Sequence, residues 1–228
     1  MTYCLHYAPD NASMIIRLAL EEIGVAYSTS LVDRKRQAQR APAYLRLNPN
    51  GLIPVLETPD GPLFETAAIL LWLADRHGRL FPPPDSPSRG HALKWLFFLS
   101  NTLHPALRML FYAESYVGTA PESQMHLRAM TRSRILQHLK TLEENWRFDP
   151  DEPSISDFYL AAMLRWIQLY PASDDKSWFC LPRHASLHRM ALALEARAST
   201  AALQAAEGLG PTPFTAPRAP CPPEGSAT

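Results

Sequence analysis

The fold is decided by the stretch Leu47-Asn48-Pro49-Asn50-Gly51-Leu52-Ile53-Pro54-Val55-Leu56, which is followed by Leu63-Phe64-Glu65-Thr66 and an apolar helix pattern. A proline at the start of a strand cannot donate to the ladder, so Pro54 belongs at a sheet edge or a bend. If the peptide bond before it is cis, the N–H and C=O of Ile53 point outward and can pair with an extended peptide. Thr66 can cap the helix that begins there, and the N–H groups of its first turn can hold a carboxylate. An open peptide edge beside such a helix start suits a small anionic peptide.

Strand and helix patterns lie on both sides of this stretch. The predicted elements are strands at residues 2–7, 27–32, 54–58 and 62–65 and helices at 13–23 and 66–77. Gly24 and Gly78 stand where the two helices should end, and Pro59-Asp60-Gly61 predicts a tight turn between the last two strands. A strand–helix–strand unit gives parallel neighbours, whereas the tight turn gives an antiparallel hairpin. Together these patterns predict a mixed α/β domain at residues 1–79.

The remainder of the chain reads as helical. Pro82-Pro83-Pro84-Asp85-Ser86-Pro87 predicts a stiff linker at residues 80–88. The predicted helices cover about 89–117, 121–146, 154–170 and two shorter segments within 184–206, with Ser199 as a candidate cap between those two. From Gly208 onward six prolines fall within 21 residues, which predicts a disordered tail at 208–228. The helical domain is therefore expected at residues 89–207.

Composition excludes several classes of function. Twenty-two basic residues balance 22 acidic ones, so no net field would hold nucleic acid or an anionic membrane. The longest apolar run, residues 67–74, is too short to cross a bilayer, and no signal peptide is visible. The three scattered cysteines fit a reducing compartment and show no C-x-x-C spacing. We therefore expect a soluble cytoplasmic protein without a metal, a nucleic-acid partner or a membrane partner.

The stretch around residue 53 resembles the glutathione transferase family, whose pattern is Asn-Pro, a Gly, a hydrophobic residue before Pro, and then Glu-Ser at the start of a helix. This chain has Asn48-Pro49-x-Gly51-x-Ile53-Pro54 and Glu65-Thr66, with Thr in the place of Ser. The resemblance implies that Ile53 and Pro54 bind the cysteinyl backbone of glutathione, the co-substrate, and that Glu65 with Thr66 holds its γ-glutamyl end. It also implies the family's fold, a thioredoxin-like α/β N-terminal domain followed by an all-α C-terminal domain. Ordinary caps and turns would explain each residue singly but not their joint spacing.

A second match lies in the helical half. Ser154-Ile155-Ser156-Asp157 precedes the apolar run at residues 158–162, and this spacing predicts a capping box that opens an amphipathic helix. It resembles the family's buried capping motif in the core of the C-terminal domain, which implies a structural role. The resemblance as a whole extends from residue 3 to about residue 205.

The loop after the first strand is where this family activates the glutathione sulfur, because the thiolate is the nucleophile. The residues Leu5-x-Tyr7-x-Pro9, then Ser13, then Leu18-x-Leu20-x-Glu22-x-Gly24 resemble the bacterial beta class. In that class a Cys precedes the Ser, but this chain has Ala12, which excludes a cysteine-based mechanism there. The resemblance leaves Ser13 as the first candidate to stabilise the thiolate and Asn11 as the second, with the amides of Ala12 and Ser13 as helpers. Ser13 is alternatively the cap of the first helix, and Tyr7 is a minor candidate.

The helix expected from residue 89 carries a further match. The segment Trp95-Leu96-Phe97-Phe98-Leu99-Ser100-Asn101-Thr102-Leu103-His104 resembles a beta-class segment whose His lines the pocket for the electrophile. The resemblance implies the same place for His104, where a partly protonated imidazole would donate to a leaving group or to the sulfur. Alternatively, His104 hydrogen-bonds a carbonyl freed by Pro105. Asn101, Arg108 and Tyr112 lie on the same helix face as His104 and are further expected pocket residues. The loop residue Ala12 is expected there too. The expected apolar walls are Phe97, Phe98 and Phe111.

The basic run Arg34-Lys35-Arg36 lies between the second strand and the Asn-Pro turn, where the family often binds the glycyl carboxylate of glutathione. The resemblance implies Lys35 and Gln39 as contacts to that carboxylate. A short basic run is also typical of a solvated loop, so that alternative stays open.

The resemblance implies a glutathione transferase that adds the glutathione thiolate to a small hydrophobic electrophile, as in detoxification. The apolar helix at residues 67–74 indicates burial on two sides, for which a homodimer is the family's usual explanation. One alternative is a glutathione-dependent isomerase, dehalogenase or peroxidase on the same fold. Another is a non-catalytic regulatory or assembly protein, which the missing Cys, Asp10 in the loop and Phe97 in the helix favour.

Overall fold

The computed structural model describes residues 3–224, and within that range four strands form a single sheet. The strands are β1 Tyr3–Tyr7, β2 Tyr27–Leu31, β3 Val55–Thr58 and β4 Gly61–Phe64, in the spatial order β2-β1-β3-β4. β1 pairs with β2 in parallel and with β3 in antiparallel, where Leu5 lies opposite Leu56. β3 and β4 form the expected antiparallel hairpin. The predicted thioredoxin-like arrangement is confirmed.

Three helices cover this sheet: α1 Ser13–Ile23, α2 Pro42–Leu45 and α3 Thr66–His77. Alternate side chains of β1, among them the fully buried Leu5, share one hydrophobic core with α1 and α3. Val55 and Tyr44 belong to a smaller cluster that involves α2. α1 and α3 end at Gly24 and Gly78, whose φ values of 78° and 62° carry no steric penalty in a residue without Cβ. The two longer helices therefore begin and end where the sequence predicted.

The second half of the chain consists of helices around one buried segment. The helices are α4 Arg89–Phe98, α5 His104–Phe111, α6 Glu114–Val117, α7 Pro121–Asn145, α8 Ile155–Leu169, α9 Ala185–Glu195 and α10 Ala198–Glu207. Every residue of α8 from Ile155 to Ile167 is buried, so this helix is the centre of the all-α domain. Within residues 3–224 no helix is long and apolar enough to cross a bilayer.

The single helix predicted for residues 89–117 is wrong, because the chain forms three helices there. Leu99–Leu103 forms a widened π-helical turn between α4 and α5. Pro105, two residues after this turn, has no N–H to donate to a carbonyl one turn earlier, so the regular hydrogen-bond ladder cannot continue through it. α5 then ends at Phe111, beyond which Tyr112 leaves helical geometry with φ −119° and ψ 44°.

The predicted capping box at the start of α8 is present. The backbone N–H of Asp157 donates to Ser154 Oγ at 3.4 Å, and the N–H of Ser154 donates to Asp157 Oδ2 at 2.7 Å. The indole Nε1 of Trp146 donates to the other carboxylate oxygen at 2.8 Å. The box thus joins the end of α7 to the start of α8 and has the structural role expected of it.

The prediction of a disordered tail is wrong for residues 208–224, which pack against the helical domain. Phe214 is fully buried, and Glu195 accepts hydrogen bonds from its N–H at 2.7 Å and from that of Thr215 at 2.8 Å. Arg165 donates to the carbonyls of Pro213 and Arg218 at 3.1 and 2.9 Å. Prolines need no partner for an N–H, and polar side chains of α8, α9 and α10 bond several of the remaining backbone groups of the segment. Residues 225–228 of the predicted tail lie outside the described residues.

Two predicted helix caps are also wrong. α10 begins after Arg197, and the Ser199 hydroxyl donates to the Glu22 carboxylate at 2.7 Å instead of capping the helix. Thr66 is the first residue of α3, and Glu65 before it makes no side-chain capping bond. The first turn of α3 is therefore left without a side-chain cap, which matters for the cavity described next.

Candidate functional site

A cavity of about 970 Å³ lies between the sheet and the helical half of the chain. Its sheet side includes the loop after β1, the turn before β3 and the start of α3; its helical side includes α4, α5, α8 and the segment after α8. The lining residues used below are Asp10, Asn11, Ala12, Arg34, Ile53, Pro54, Glu65, Thr66, Phe97, Asn101, His104, Arg108, Phe111, Tyr112, Tyr159, Trp166 and Tyr170. A second, larger depression lies between α5 and α7 and shares only Asn101 and Pro105 with this cavity.

The turn before β3 offers an open peptide edge to the cavity. The Ile53–Pro54 peptide bond is cis, and the N–H and C=O of Ile53 form no hydrogen bond with any residue from 3 to 224. The hydroxyl of Tyr44 and the amide of Asn48 both donate to the carbonyl of Leu52 at 2.8 Å, which fixes the turn just before this edge. The Ile53 backbone groups are therefore free to pair with an extended peptide in the cavity.

Glycine is required two residues before Ile53. Gly51 has φ 61°, and a Cβ built there would lie 2.8 Å from the carbonyl oxygen of Gln39 and 2.9 Å from Arg40 Nη1. Any larger residue would force the backbone of the turn away from its neighbours. The glycine of the motif thus allows the turn before β3 to pack closely against the backbone at Gln39 and Arg40.

The start of α3 is an anion-binding position. Glu65 holds φ 72° and ψ 113°, and its carbonyl accepts the N–H of Ile69 at 3.0 Å. The N–H groups of Thr66, Ala67 and Ala68 precede the first intrahelical bond, and all three residues line the cavity. These donors and the positive end of the helix dipole favour a carboxylate there.

The loop after β1 brings Asn11 and Ala12 to the cavity but not Ser13. The Ser13 side chain is fully buried; its hydroxyl donates to the Ala8 carbonyl at 3.1 Å and accepts the Ala8 N–H at 3.3 Å. The prediction that Ser13 contacts the thiolate is therefore wrong, because its hydroxyl does not reach the cavity. The alternative, that Ser13 caps α1, is wrong as well, because Ala12 occupies the cap position and no side chain caps the helix.

Asn11 has a defined orientation in this loop. Its Oδ1 accepts the N–H of Ala12 at 2.8 Å, which leaves the amide NH₂ group available to a ligand. The N-terminal end of α1, with its partial positive charge, follows directly. The loop therefore supplies one side-chain donor and one helix end to an anion in the cavity.

Asp10 carries a negative charge into this loop, but its carboxylate is compensated by α8. Arg165 Nε and Nη2 donate to its two oxygens at 2.7 and 3.0 Å, Trp166 Nε1 donates at 3.1 Å, and the Tyr170 hydroxyl also donates. The backbone N–H of Asp10 donates to Glu207 on α10 at 2.9 Å. The loop is thus held from both sides by the helical domain, and the charge of Asp10 is not free to repel a thiolate.

His104 lies on the helical wall as a neutral imidazole. Burial, with a further contribution from the positive charge of Arg108, lowers the pKa of His104 from its ordinary 6.5 to about 4. Its Nδ1 is 2.8 Å from the Tyr159 hydroxyl, so it does not bond a carbonyl freed by Pro105. Burial and the Glu65 carboxylate raise the pKa of Tyr159, which stays protonated. This lowered pKa argues against partial protonation of His104 near neutral pH.

We expect an NMR titration to find His104 unprotonated from pH 8 down to about pH 5. The folded pKa is depressed, so folding stability that depends on the neutral ring is present above about pH 6.5 and is lost as the pH falls towards 4. The resonance would be assigned by its absence in His104→Gln, which should also unfold with less pH dependence over that range. A midpoint above pH 6 would contradict this environment.

The other predicted residues divide between the cavity and the surface. Asn101, Arg108, Tyr112, Phe97 and Phe111 all line the helical side, whereas Phe98 packs edge-on against Trp95 and His138 outside it. Lys35 is exposed and Gln39 does not line the cavity, although its Oε1 is buried without a hydrogen-bond partner among residues 3–224. Arg34 is the member of the basic run that reaches the cavity.

Tyr7 is also outside the cavity. Its hydroxyl donates to Glu224 in the C-terminal segment, and the guanidinium carbon of Arg17 lies 4.7 Å from the centre of its ring. Burial and the Glu224 carboxylate raise the pKa of this hydroxyl, and its hydrogen is already donated to Glu224, so it is not available to a thiolate in the cavity. Tyr7 therefore has a packing role at the end of β1.

One group of possible metal ligands lies elsewhere on the sheet. Among residues 3–224, Cys4, His6 and Glu57 bring their ligand atoms within 4.8 Å of one another. His6 Nε2 and Glu57 Oε1 are 2.7 Å apart, so these two form an ordinary hydrogen-bonded pair. None of the three lines the cavity.

Sequence reasoning missed the residues that α8 and the following segment contribute. Tyr159, Trp166 and Tyr170 line the cavity, where Tyr159 pairs with His104 and the other two hold Asp10. Their spacing in the sequence predicts only that they lie in the core of an amphipathic helix. The tertiary crossing of α8 beneath the loop after β1 places them here, and no local pattern signals that crossing.

Comparisons with known proteins agree with this geometry. The family model described as "Glutathione S-transferase, N-terminal domain" matches residues 12–76. Glutathione S-transferase GST-4.5 of Xanthomonas campestris is 30% identical over 170 residues, which cover 71% of this chain and 81% of that protein. Glutathione S-transferase GstA of Escherichia coli O157:H7 is 29% identical over 166 residues with the same coverage.

Solved structures show the same fold. A glutathione transferase from Burkholderia graminis, crystallised with two glutathione molecules bound per subunit, has a TM-score of 0.76 and 27% identity. The superposition covers 89% of this chain and 88% of that one. By sequence similarity over most of a relative's length and by fold, the chain belongs to the glutathione S-transferase family.

Proposed function

We propose that the protein binds reduced glutathione in the cavity and transfers its thiolate to an electrophilic carbon of a small acceptor. The observation that carries this proposal is that three features open into one space: the free peptide edge of Ile53, the uncapped start of α3 and the Asn11 loop. The names of the relatives support the same class of activity.

The tripeptide would lie along the sheet side of the cavity. Its cysteinyl backbone would pair with the N–H and C=O of Ile53, as an added strand does. Its γ-glutamyl carboxylate would meet the first N–H groups of α3, and its ammonium group the Glu65 carboxylate. Arg34, in place of the predicted Lys35 and Gln39, would hold the glycyl carboxylate.

The sulfur would then lie beside the loop after β1. The amide NH₂ of Asn11 and the positive end of α1 would stabilise the thiolate and lower its pKa, so that the proton leaves to solvent. The thiolate attacks the acceptor carbon, a C–S bond forms, and the leaving group departs with its electron pair. His104, with Nδ1 accepting from Tyr159, would offer Nε2–H as a neutral donor to the acceptor.

We expect Asn11→Ala to lower kcat for an aromatic halide by about 10- to 100-fold, because it removes the side-chain donor that the proposed pose places beside the sulfur. Ser13→Ala is the matched control. It should leave kcat within about twofold and lower the free energy of unfolding by about 1–3 kcal/mol, because Ala8 loses its buried partner. Equal losses of kcat in the two variants would contradict the assignment of Asn11.

A binding protein without turnover is the second candidate. The observation that favours it is that neither a hydroxyl nor a thiol from the loop at residues 8–13 reaches the cavity. Retention on glutathione resin combined with no conjugation of a panel of aromatic halides, epoxides and enones would favour it over the transferase. Products from that panel would likewise separate conjugation from isomerisation, dehalogenation or peroxide reduction.

A homodimer, a cytoplasmic location and a role in detoxification stay proposals. α3 buries Ile69, Leu70 and Leu73, while Trp72 already packs edge-on against Tyr3 within the chain. Part of the apolar surface that indicated a dimer is thus used internally. Light scattering of the purified protein gives the mass in solution and tests the dimer directly.

A further inference from the structure

Arg108 is a cation that lines the cavity and has no anionic partner in the described part of the chain. Among residues 3–224 its guanidinium forms no hydrogen bond to a side chain or carbonyl and no ion pair. Several other partly or fully buried arginines each pair with a carboxylate: Arg89 with Asp75, Arg132 with Asp174, Arg165 with Asp10 and Arg197 with Glu22. The five N–H donors of Arg108 are therefore available to whatever enters the cavity.

One aromatic ring lies beside this cation, and two more continue from it along the cavity wall. The guanidinium carbon of Arg108 lies 5.7 Å from the centre of the Tyr112 ring. The Phe111 ring packs edge-on against Tyr112 at 6.5 Å and against Tyr170 at 6.0 Å. A planar apolar body can pack against these rings while a charged group on it reaches Arg108.

The remaining charges of the cavity are already accounted for. Asp10 is paired with Arg165, and the proposed glutathione pose uses Glu65 for the ammonium group and Arg34 for the glycyl carboxylate. Arg108 stands on the opposite wall, four residues beyond His104 on α5. It is the unassigned charge on the acceptor's side of the cavity.

We propose that the acceptor carries a carboxylate, which Arg108 binds, on a planar apolar body that packs against Phe111 and Tyr112. This inference rests on the proposed function, because glutathione occupies the other half of the cavity. A guanidinium matches a carboxylate with two parallel hydrogen bonds, and it does so strongly where water is partly excluded. The acceptor proposed here is therefore an amphiphilic anion, whereas the sequence predicted a small hydrophobic electrophile.

The test compares two acceptors with the same reacting carbon, 4-chloro-3,5-dinitrobenzoate and the neutral 4-chloro-3,5-dinitrobenzamide. In both, the thiolate attacks C4, the C–S bond forms, the C–Cl bond breaks and chloride leaves with the electron pair. Arg108→Gln should lower the acid-to-amide ratio of kcat/KM by about 10- to 100-fold, and Arg108→Lys by less. Arg76→Gln, at an exposed arginine outside the cavity, is the matched control and should leave this ratio within about twofold of wild type.

A binding measurement keeps the inference independent of turnover. Calorimetry with 3,5-dinitrobenzoate and 3,5-dinitrobenzamide, at saturating glutathione, should show the same selective loss for the acid in Arg108→Gln. If the wild type binds the acid selectively but turns over neither acceptor, the proposed transfer fails and the carboxylate site stands. An acid-to-amide ratio that is unchanged in Arg108→Gln, in binding and in turnover, would overturn the inference.

The carboxylate can come from two sources, a small organic acid or a second glutathione unit. Glutathione disulfide is the probe for the latter. Equal weakening of the disulfide and the benzoate in Arg108→Gln assigns the site to carboxylates of both kinds. A loss confined to the benzoate assigns it to small acids. A loss confined to the disulfide leaves the acid-to-amide ratio unchanged and overturns the inference.

Discussion

Arg165→Met is expected to lower the free energy of unfolding by about 3–5 kcal/mol, the usual cost of leaving one partner of a buried ion pair uncompensated. The Arg165 side chain has no exposed surface and that of Asp10 is 1% exposed. Removing the guanidinium leaves the Asp10 carboxylate with only Trp166 and Tyr170 as donors. It also frees the carbonyls of Pro213 and Arg218, so the C-terminal segment should loosen together with the loop.

Urea unfolding measures this loss, and Arg76→Met is the matched control. Arg76 and Asp60 form an exposed pair 3.7 Å apart, whose removal should cost less than about 0.5 kcal/mol. The double variant Asp10→Asn with Arg165→Met should recover part of the stability, because no buried charge is then left alone. A loss of less than about 1 kcal/mol in Arg165→Met would show that this pair does not anchor the loop.

Glu65→Gln should weaken glutathione binding by about 10- to 150-fold, which corresponds to about 1.5–3 kcal/mol for a hydrogen bond to a charged group. The substitution keeps the size and shape of the side chain and removes only the charge that would meet the γ-glutamyl ammonium group. Glu57→Gln is the matched control on the same sheet, because Glu57 pairs with His6 outside the cavity. Calorimetry with reduced glutathione compares the three proteins.

Equal affinity of wild type and Glu65→Gln would contradict the proposed pose of the γ-glutamyl end. A loss shared by Glu57→Gln would indicate instead that the sheet tolerates neither change. Circular dichroism of each variant, compared with wild type, separates a binding effect from loss of the fold.

Local signals were sufficient to predict the first half of the fold. The bounds of α1 and α3 follow from apolar spacing and from Gly24 and Gly78, which end the helices in a conformation that glycine adopts without cost. The β3–β4 hairpin follows from the Pro-Asp-Gly turn. Each of these signals lies within a few residues of the element it specifies.

Tertiary contacts decided what the sequence did not predict. The tail at 208–224 is low in large apolar residues, yet Glu195 and Arg165, from distant helices, satisfy its backbone. Ser13 and Asn11 both stood as candidates beside the sulfur, and loop geometry separates them. Asp10 has φ 53°, and Arg165 holds its side chain from 155 residues away.

The residues of the candidate site that belong to a motif of fixed spacing were predicted better than those chosen without one. Ile53, Glu65 and Thr66 belong to a fixed spacing, and they line the cavity together with Asn101, His104 and Arg108. Their roles remain predictions. Lys35 and Gln39 were predicted only from their place between the second strand and the Asn-Pro turn, and Arg34 reaches the cavity instead.

The most direct test of the account is calorimetric titration of the purified wild-type protein with reduced glutathione. We expect saturable binding of one glutathione per chain with a Kd of about 1 mM or tighter, weakened in Glu65→Gln. No heat of binding at millimolar glutathione would contradict it, and the cavity beside Ile53 would then need another ligand.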